Sequence, residues 1–130
     1  MADIFKESDI LSLHLPLTFE TNCLVNDAFI RSFQKPIYIV NTARGKILDT
    51  ESLVNNIKSG KVLGAALDVL EYEEHSFESA LSESKDMPEP LKYLLQSEAI
   101  ILSPHIAGWS FESNRKIAQV LVDKILNLYK

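Results

Sequence analysis

Four glycines in 130 residues, Gly45, Gly60, Gly64 and Gly108, are too few and too scattered to spell G-x-G-x-x-G, so the chain has no glycine-rich cradle for a dinucleotide pyrophosphate. A single cysteine, Cys23, excludes an internal disulfide and makes a reducing compartment the simpler setting. No apolar run approaches the ~20 residues of a membrane span. The first residues also lack the basic and apolar regions of a secretory signal, and the expectation is a cytoplasmic protein. Basic residues are outnumbered: 13 Lys and Arg against 18 Asp and Glu leave a formal charge of −5. The excess is local, with Glu71, Glu73, Glu74, Glu78, Glu83, Asp86 and Glu89 set against Lys85 alone. Such a stretch argues against a nucleic-acid groove and against an anionic membrane surface. There are no internal repeats and no low-complexity tract.

What is present suits one compact domain over residues 1–130. With 46% hydrophobic and 24% charged residues the composition is that of an ordinary soluble protein, and a chain of this size holds a core without covalent staples. Short aliphatic runs at Ile10–Leu15, Ile37–Val40, Gly64–Val69 and Ala99–Leu102 read as parallel strands buried on both faces. Helical patterns separate them. Residues Asn26–Phe33 form a short one. Asp49–Ser59 has Asp49 or Thr50 as N-cap, Leu53, Val54 and Ile57 on one face and Gly60 as its stop. A long final helix begins near Ser110, with Ile117, Leu121, Ile125 and Leu128 as its apolar stripe. The acidic connection 71–97 carries a helical turn at Leu91–Leu95. The expected fold is an α/β sheet of four parallel strands with helices on both faces and right-handed crossovers.

Ligand-binding groups in such sheets gather beyond the carboxyl ends of the strands. Three runs end there in reactive residues: Arg44 in Asn41-Thr42-Ala43-Arg44-Gly45, Asp68 and the glutamates that follow it, and His105 after Ser103-Pro104. Reducing a 2-oxo acid needs a cation to fix the carboxylate and polarise the carbonyl, and a proton donor for the oxygen. The Arg44 guanidinium suits the first task because its planar fork binds a carboxylate at two points and stays charged. The His105 imidazole suits the second because it titrates near neutral pH. Plainer readings stand beside these: a solvated turn for His105, a loop cap for Asp68, a rim histidine for His14, and packing for Trp109 and Cys23. His75 lacks a ligand spacing, and no metal site is expected.

In that order the three blocks resemble the D-isomer-specific 2-hydroxyacid dehydrogenases, and the resemblance runs from Ser8-Asp9-Ile10-Leu11-Ser12-Leu13-His14-Leu15-Pro16-Leu17 to the final helix. It implies NAD as cofactor, with NADP left open, and Arg44, Glu73 and His105 as the catalytic set. Glu73 is carried over because it lies five residues beyond Asp68; it would accept a hydrogen bond from the second ring nitrogen of His105. The family follows this glutamate with proline, and Glu74 stands there instead. Cofactor contacts are implied for His14, Leu15, Pro16, Thr42, Ala43, Arg44, Asp68, His105 and Gly108, with Asp68 accepting from the nicotinamide carboxamide. Within the family the acidic stretch and Met87-Pro88-Glu89-Pro90 are most similar to the 3-phosphoglycerate dehydrogenase and hydroxypyruvate reductase branch.

Members of that family are more than twice as long. The resemblance therefore implies the second half of a Rossmann-type NAD-binding domain, without the fingerprint half and without the substrate domain. The expected activity is hydride transfer between NAD(H) and a small 2-hydroxy or 2-oxo acid, with weak or absent NAD binding by this chain alone. The alternative is a catalytically inactive half-domain that serves folding, assembly or binding. A receiver-like signalling domain fits poorly, since His14 follows the first strand where an aspartate is needed. The strand Ile10–Leu15 would pair with the missing fingerprint strand, so its open edge predicts a homo-oligomer.

Overall fold

The computed structural model describes residues 1–72 and 87–129. Helix α1 (Ala2–Glu7) precedes strand β1 (Ile10–Leu13), helix α2 (Asp27–Arg31) and strand β2 (Ile37–Asn41). A 3-10 turn (Gly45–Ile47) leads into α3 (Thr50–Lys58) and β3 (Val62–Leu67). Helix α4 (Glu89–Gln96), strand β4 (Ile100–Leu102) and helix α5 (Phe111–Leu128) complete the described chain. The strands form one parallel sheet in the order β1-β2-β3-β4.

The core fills the space between the sheet and α2, α3 and α4. Ile37 and Ile39 of β2, Val62, Ala65 and Leu67 of β3, Ile30, Leu53 and Leu94 of the helices are all buried there. The alternate residues Ile10, Tyr38, Leu63 and Ile101 remain exposed and line an open apolar groove on the other side of the strands. Helix α3 begins where Asp49 accepts from the Ser52 amide at 3.1 Å, and stops at Ser59 before Gly60, whose φ of +76° is the left-handed turn that favours glycine. A triad of edge-to-face rings, Phe5, Phe29 and Phe33, fastens α1 to α2 at centroid distances of 5.1 to 5.9 Å.

Several boundaries differ from the sequence reading. Strand β1 ends at Leu13 rather than Leu15, because its last partner is Asn41 and β2 turns away at Thr42. Strand β3 begins two residues earlier, at Val62, and ends at Leu67; the Asp68 amide still donates to the Asn41 carbonyl at 2.9 Å while its side chain serves a neighbouring loop. The turn at Leu91–Leu95 is a full helix, started by the Pro88-Glu89-Pro90 segment that presets the backbone for a first turn. Helix α1 had no counterpart in the sequence reading. Helix α5 has the expected N-cap, Ser110 accepting from the Ser113 amide at 3.0 Å, yet none of its residues is buried. Ile117, Leu121 and Ile125 are all more than half exposed. Trp109, expected to pack, is 77% exposed, because α5 and the turn before it bring no cover over that ring. Cys23 is half-buried. Among the described residues no helix is long and apolar enough to cross a membrane.

Candidate active site

Asp68 occupies the first position beyond β3 and is 4% exposed. Its Oδ1 accepts from the Ser103 hydroxyl at 2.5 Å and the Ile106 amide at 2.9 Å, and its Oδ2 accepts from the Ala107 amide at 2.9 Å. Burial by itself would push the carboxyl pKa up. The Ser103 hydroxyl, the Ala107 and Ile106 amides and the charge of His105 outweigh it and hold the group below its ordinary 3.8. Asp68 is therefore an ionised acceptor at neutral pH.

These bonds grip the turn that carries His105 on both sides. The imidazole-bearing residue has φ of +55°, a conformation that costs a non-glycine residue about 1–2 kcal/mol. Its amide donates to the Ser103 carbonyl at 3.0 Å, and the side chain lies at the surface. The clamp on Ser103 before it and on Ile106 and Ala107 after it offsets that strain.

The Arg44 loop is built in a similar way. Asn41, 1% exposed at the end of β2, accepts from the Ala43 amide and donates from Nδ2 to the Arg44 carbonyl, each at 3.0 Å. Arg44 itself is exposed, with Nη1 donating to the Ala43 carbonyl at 2.6 Å. Gly45 lies flat against the segment after β3: a Cβ there would sit 1.9 Å from the Leu70 carbonyl oxygen, so only glycine fits. Five residues on, the Thr50 amide donates to Glu71 Oε2 at 3.0 Å.

Between the two loops lies an open groove of about 350 Å³ at the carboxyl ends of β2, β3 and β4. Val40, Ala66, Ile101, Ile106 and Ala107 give it apolar lining; Thr42, Asp68 and Ser103 are its polar side chains. The geometry thus joins Thr42 with Asp68 and sets Ala43–Arg44 and His105 in the loops on either side. His14, Leu15 and Pro16 follow β1 one strand further out; His14 Nε2 is 2.8 Å from the Ser12 hydroxyl, and the Pro16 carbonyl accepts from Thr21. At Gly108 an added Cβ would meet nothing within 4 Å among the described residues. Glu73 and His75 lie outside the described residues.

Four residues that shape this site were not singled out for it. Asn41 was readable, since Asn followed two residues later by a turn amide is an Asx-turn signal. Ser103, Gly45 and Glu71 had no local signal, because their partners are 35, 25 and 21 residues away in sequence.

Comparison with known proteins places the chain in a family. Residues 1–107 match the family model described as D-isomer specific 2-hydroxyacid dehydrogenase, NAD binding domain. The glyoxylate reductase of Thermofilum pendens is 36% identical over 127 residues, covering 98% of this chain and 34% of that protein. The hydroxypyruvate reductase of Thermotoga maritima is 38% identical over 122 residues, covering 94% of this chain and 36% of that protein. The D-lactate dehydrogenase of Aquifex aeolicus, solved with NAD and lactic acid, superposes with a TM-score of 0.77 at 33% identity over 98% of this chain and 39% of that one. The chain thus spans about a third of the length of the curated relatives it matches.

Proposed function

The chain belongs to the D-isomer-specific 2-hydroxyacid dehydrogenases, and on that premise we propose that it is the catalytic, carboxyl-terminal part of an NAD-binding domain in an enzyme that interconverts a D-2-hydroxy acid and its 2-oxo acid. The observation that carries this reading is the Asp68 clamp, which holds the His105 turn in a strained conformation beside the groove that Thr42 helps to line. A turn with no task would not need it.

The groove suits the nicotinamide end of the cofactor. An apolar lining at Val40, Ala66 and Ile101 matches a flat ring, and Asp68 Oδ2, with one bond from Ala107, keeps acceptor capacity for a carboxamide. Thr42 borders the same space, Ala43 and Gly108 follow lining residues in the chain, and His14–Pro16 lie one strand further out. The reduced nicotinamide supplies the hydride. Arg44 holds the substrate carboxylate and polarises the carbonyl, and His105 delivers the proton to the oxygen. The family resemblance assigns to Glu73 the task of orienting His105. The reductases among its relatives and the lactic acid bound to the Aquifex protein support a short 2-oxo acid such as hydroxypyruvate or glyoxylate as substrate.

A second reading is that this chain by itself is a catalytically inactive module that works in assembly. It has an open strand edge at β1, which supports self-association by edge pairing. The test of both is direct. Purified chain should show no NADH oxidation with hydroxypyruvate, while the Thermotoga hydroxypyruvate reductase with its matching segment replaced by this chain should turn over. An inactive but folded chimera would leave the assembly reading.

A further inference from the structure

Residues 42–49 connect β2 to α3, and the strap from Gly45 to Thr50 rests on the segment after β3, on Leu70 and Glu71 at one end and on Glu71 at the other. At the near end, the Gly45 backbone lies so close to Leu70 and Glu71 that a Cβ would stand 1.9 Å from the Leu70 oxygen and 2.6 Å from the Glu71 nitrogen. At the far end, Glu71 Oε2 accepts from the Thr50 amide at 3.0 Å, a bond to the first residue of α3 in addition to the Asp49 cap. Between them the Leu48 amide donates to the Gly45 carbonyl at 3.1 Å, and the Ile47 amide to the Arg44 carbonyl at 3.3 Å. The strap is short and is bonded both internally and to the 23–25 segment, where the Lys46 and Ile47 carbonyls accept from the Cys23 and Val25 amides and the Asp49 amide donates to the Val25 carbonyl, so it is held as one bonded unit.

Two carboxylates meet at the start of α3, where the helix dipole favours negative charge. Asp49 already caps α3, and Asp49 and Glu51 add negative charge beside Glu71, enough to raise the phenol pKa of Tyr72 after burial has raised it first. Cys23 faces the same carboxylates, and its thiol is pushed up by burial and then by Glu71 and Asp49. The bond that Glu71 makes there is the one it accepts from the Thr50 amide.

We propose that Glu71 is a positioning residue for the substrate-anchoring arginine: through Thr50 and the strap ending at Gly45, it fixes where Arg44 stands relative to the exit of β3. This deepens the dehydrogenase reading, because it is the role of Arg44 as carboxylate anchor that gives the position its use. The position itself can be measured without any activity, so failure of the one is separable from failure of the other.

The experiment is NMR on the 130-residue chain with wild type, Glu71→Ala and Glu71→Gln. In Glu71→Ala the Thr50 amide should exchange with solvent about tenfold faster. The Arg44, Gly45 and Ile47 amides should move, while those of Val54 to Ile57 in mid-helix stay. Glu71→Gln keeps an acceptor oxygen and should restore the wild-type positions. Movement confined to Thr50 would make Glu71 a plain helix cap and overturn the proposal, and so would a Glu71→Gln spectrum as displaced as that of Glu71→Ala. Should Glu71→Ala not fold, acid titration of wild type decides. The Arg44 and Gly45 amides must follow the midpoint of the Glu71 carboxyl carbon, tracked separately from those of Asp49 and Glu51; amides that ignore it overturn the proposal.

Discussion

The Ser103 hydroxyl donates to Asp68 Oδ1 over 2.5 Å, joining the exit of β4 to the exit of β3 across 35 residues of sequence. Two backbone amides on the far side of His105 complete the grip. A buried carboxylate with three donors stabilises the fold only while it is ionised.

Asp68→Asn places an NH₂ group where a donor already points, and should cost about 2 kcal/mol at pH 7. The folded-state pKa of Asp68 lies below its ordinary 3.8, so this contribution is complete above that value and is lost as pH falls through the folded value. The gap between wild type and variant should therefore be widest near neutrality and close in acid. Urea unfolding followed by circular dichroism at neutral and acid pH measures it; a gap independent of pH would contradict the clamp.

Gly45→Ala forces a Cβ onto a backbone carbonyl and should cost roughly 3 kcal/mol, at the upper end of overpacking effects. Gly108→Ala meets open space among the described residues and should change stability by less than about 0.5 kcal/mol. Denaturant midpoints of the two variants give the comparison. Equal midpoints would mean that the Gly45 contact relaxes at no cost.

Self-association through the β1 edge, as proposed above, gives a concentration-dependent mass. Light scattering across a dilution series should show an oligomer dissociating toward monomer, and Ile10→Lys, at a position 61% exposed on that strand, should shift the transition to higher concentration. A monomeric mass at every concentration would rule out edge pairing.

The parts of this fold that were legible in the sequence are those set by local rules. Ile37–Val40 followed by Asn41, Asp49 before Leu53 and Val54, and Gly60 after Ser59 each declare a strand, cap or stop within a few residues. Arg44, Asp68 and His105 stood out as candidates for the same reason, as reactive groups after aliphatic runs. What tertiary contact decides was less accessible. Helix α5 has the periodicity of a packed helix, but whether a stripe such as Ile117–Leu121–Ile125 is covered depends on what surrounds it, and here it is exposed. The partners of Ser103, Gly45 and Glu71 are invisible to any local pattern.

The measurement that tests most directly whether this chain carries the groups of a 2-oxo acid reductase is NADH oxidation by the Thermotoga hydroxypyruvate reductase whose matching segment is replaced by this chain, with hydroxypyruvate as substrate. Expected are turnover in the parent chimera, a loss of about 10²–10⁴-fold in kcat with His105→Ala, and a raised KM for hydroxypyruvate but not for NADH with Arg44→Ala. A chimera whose rate and KM survive both substitutions would contradict the assignment of the anchor to Arg44 and the proton to His105.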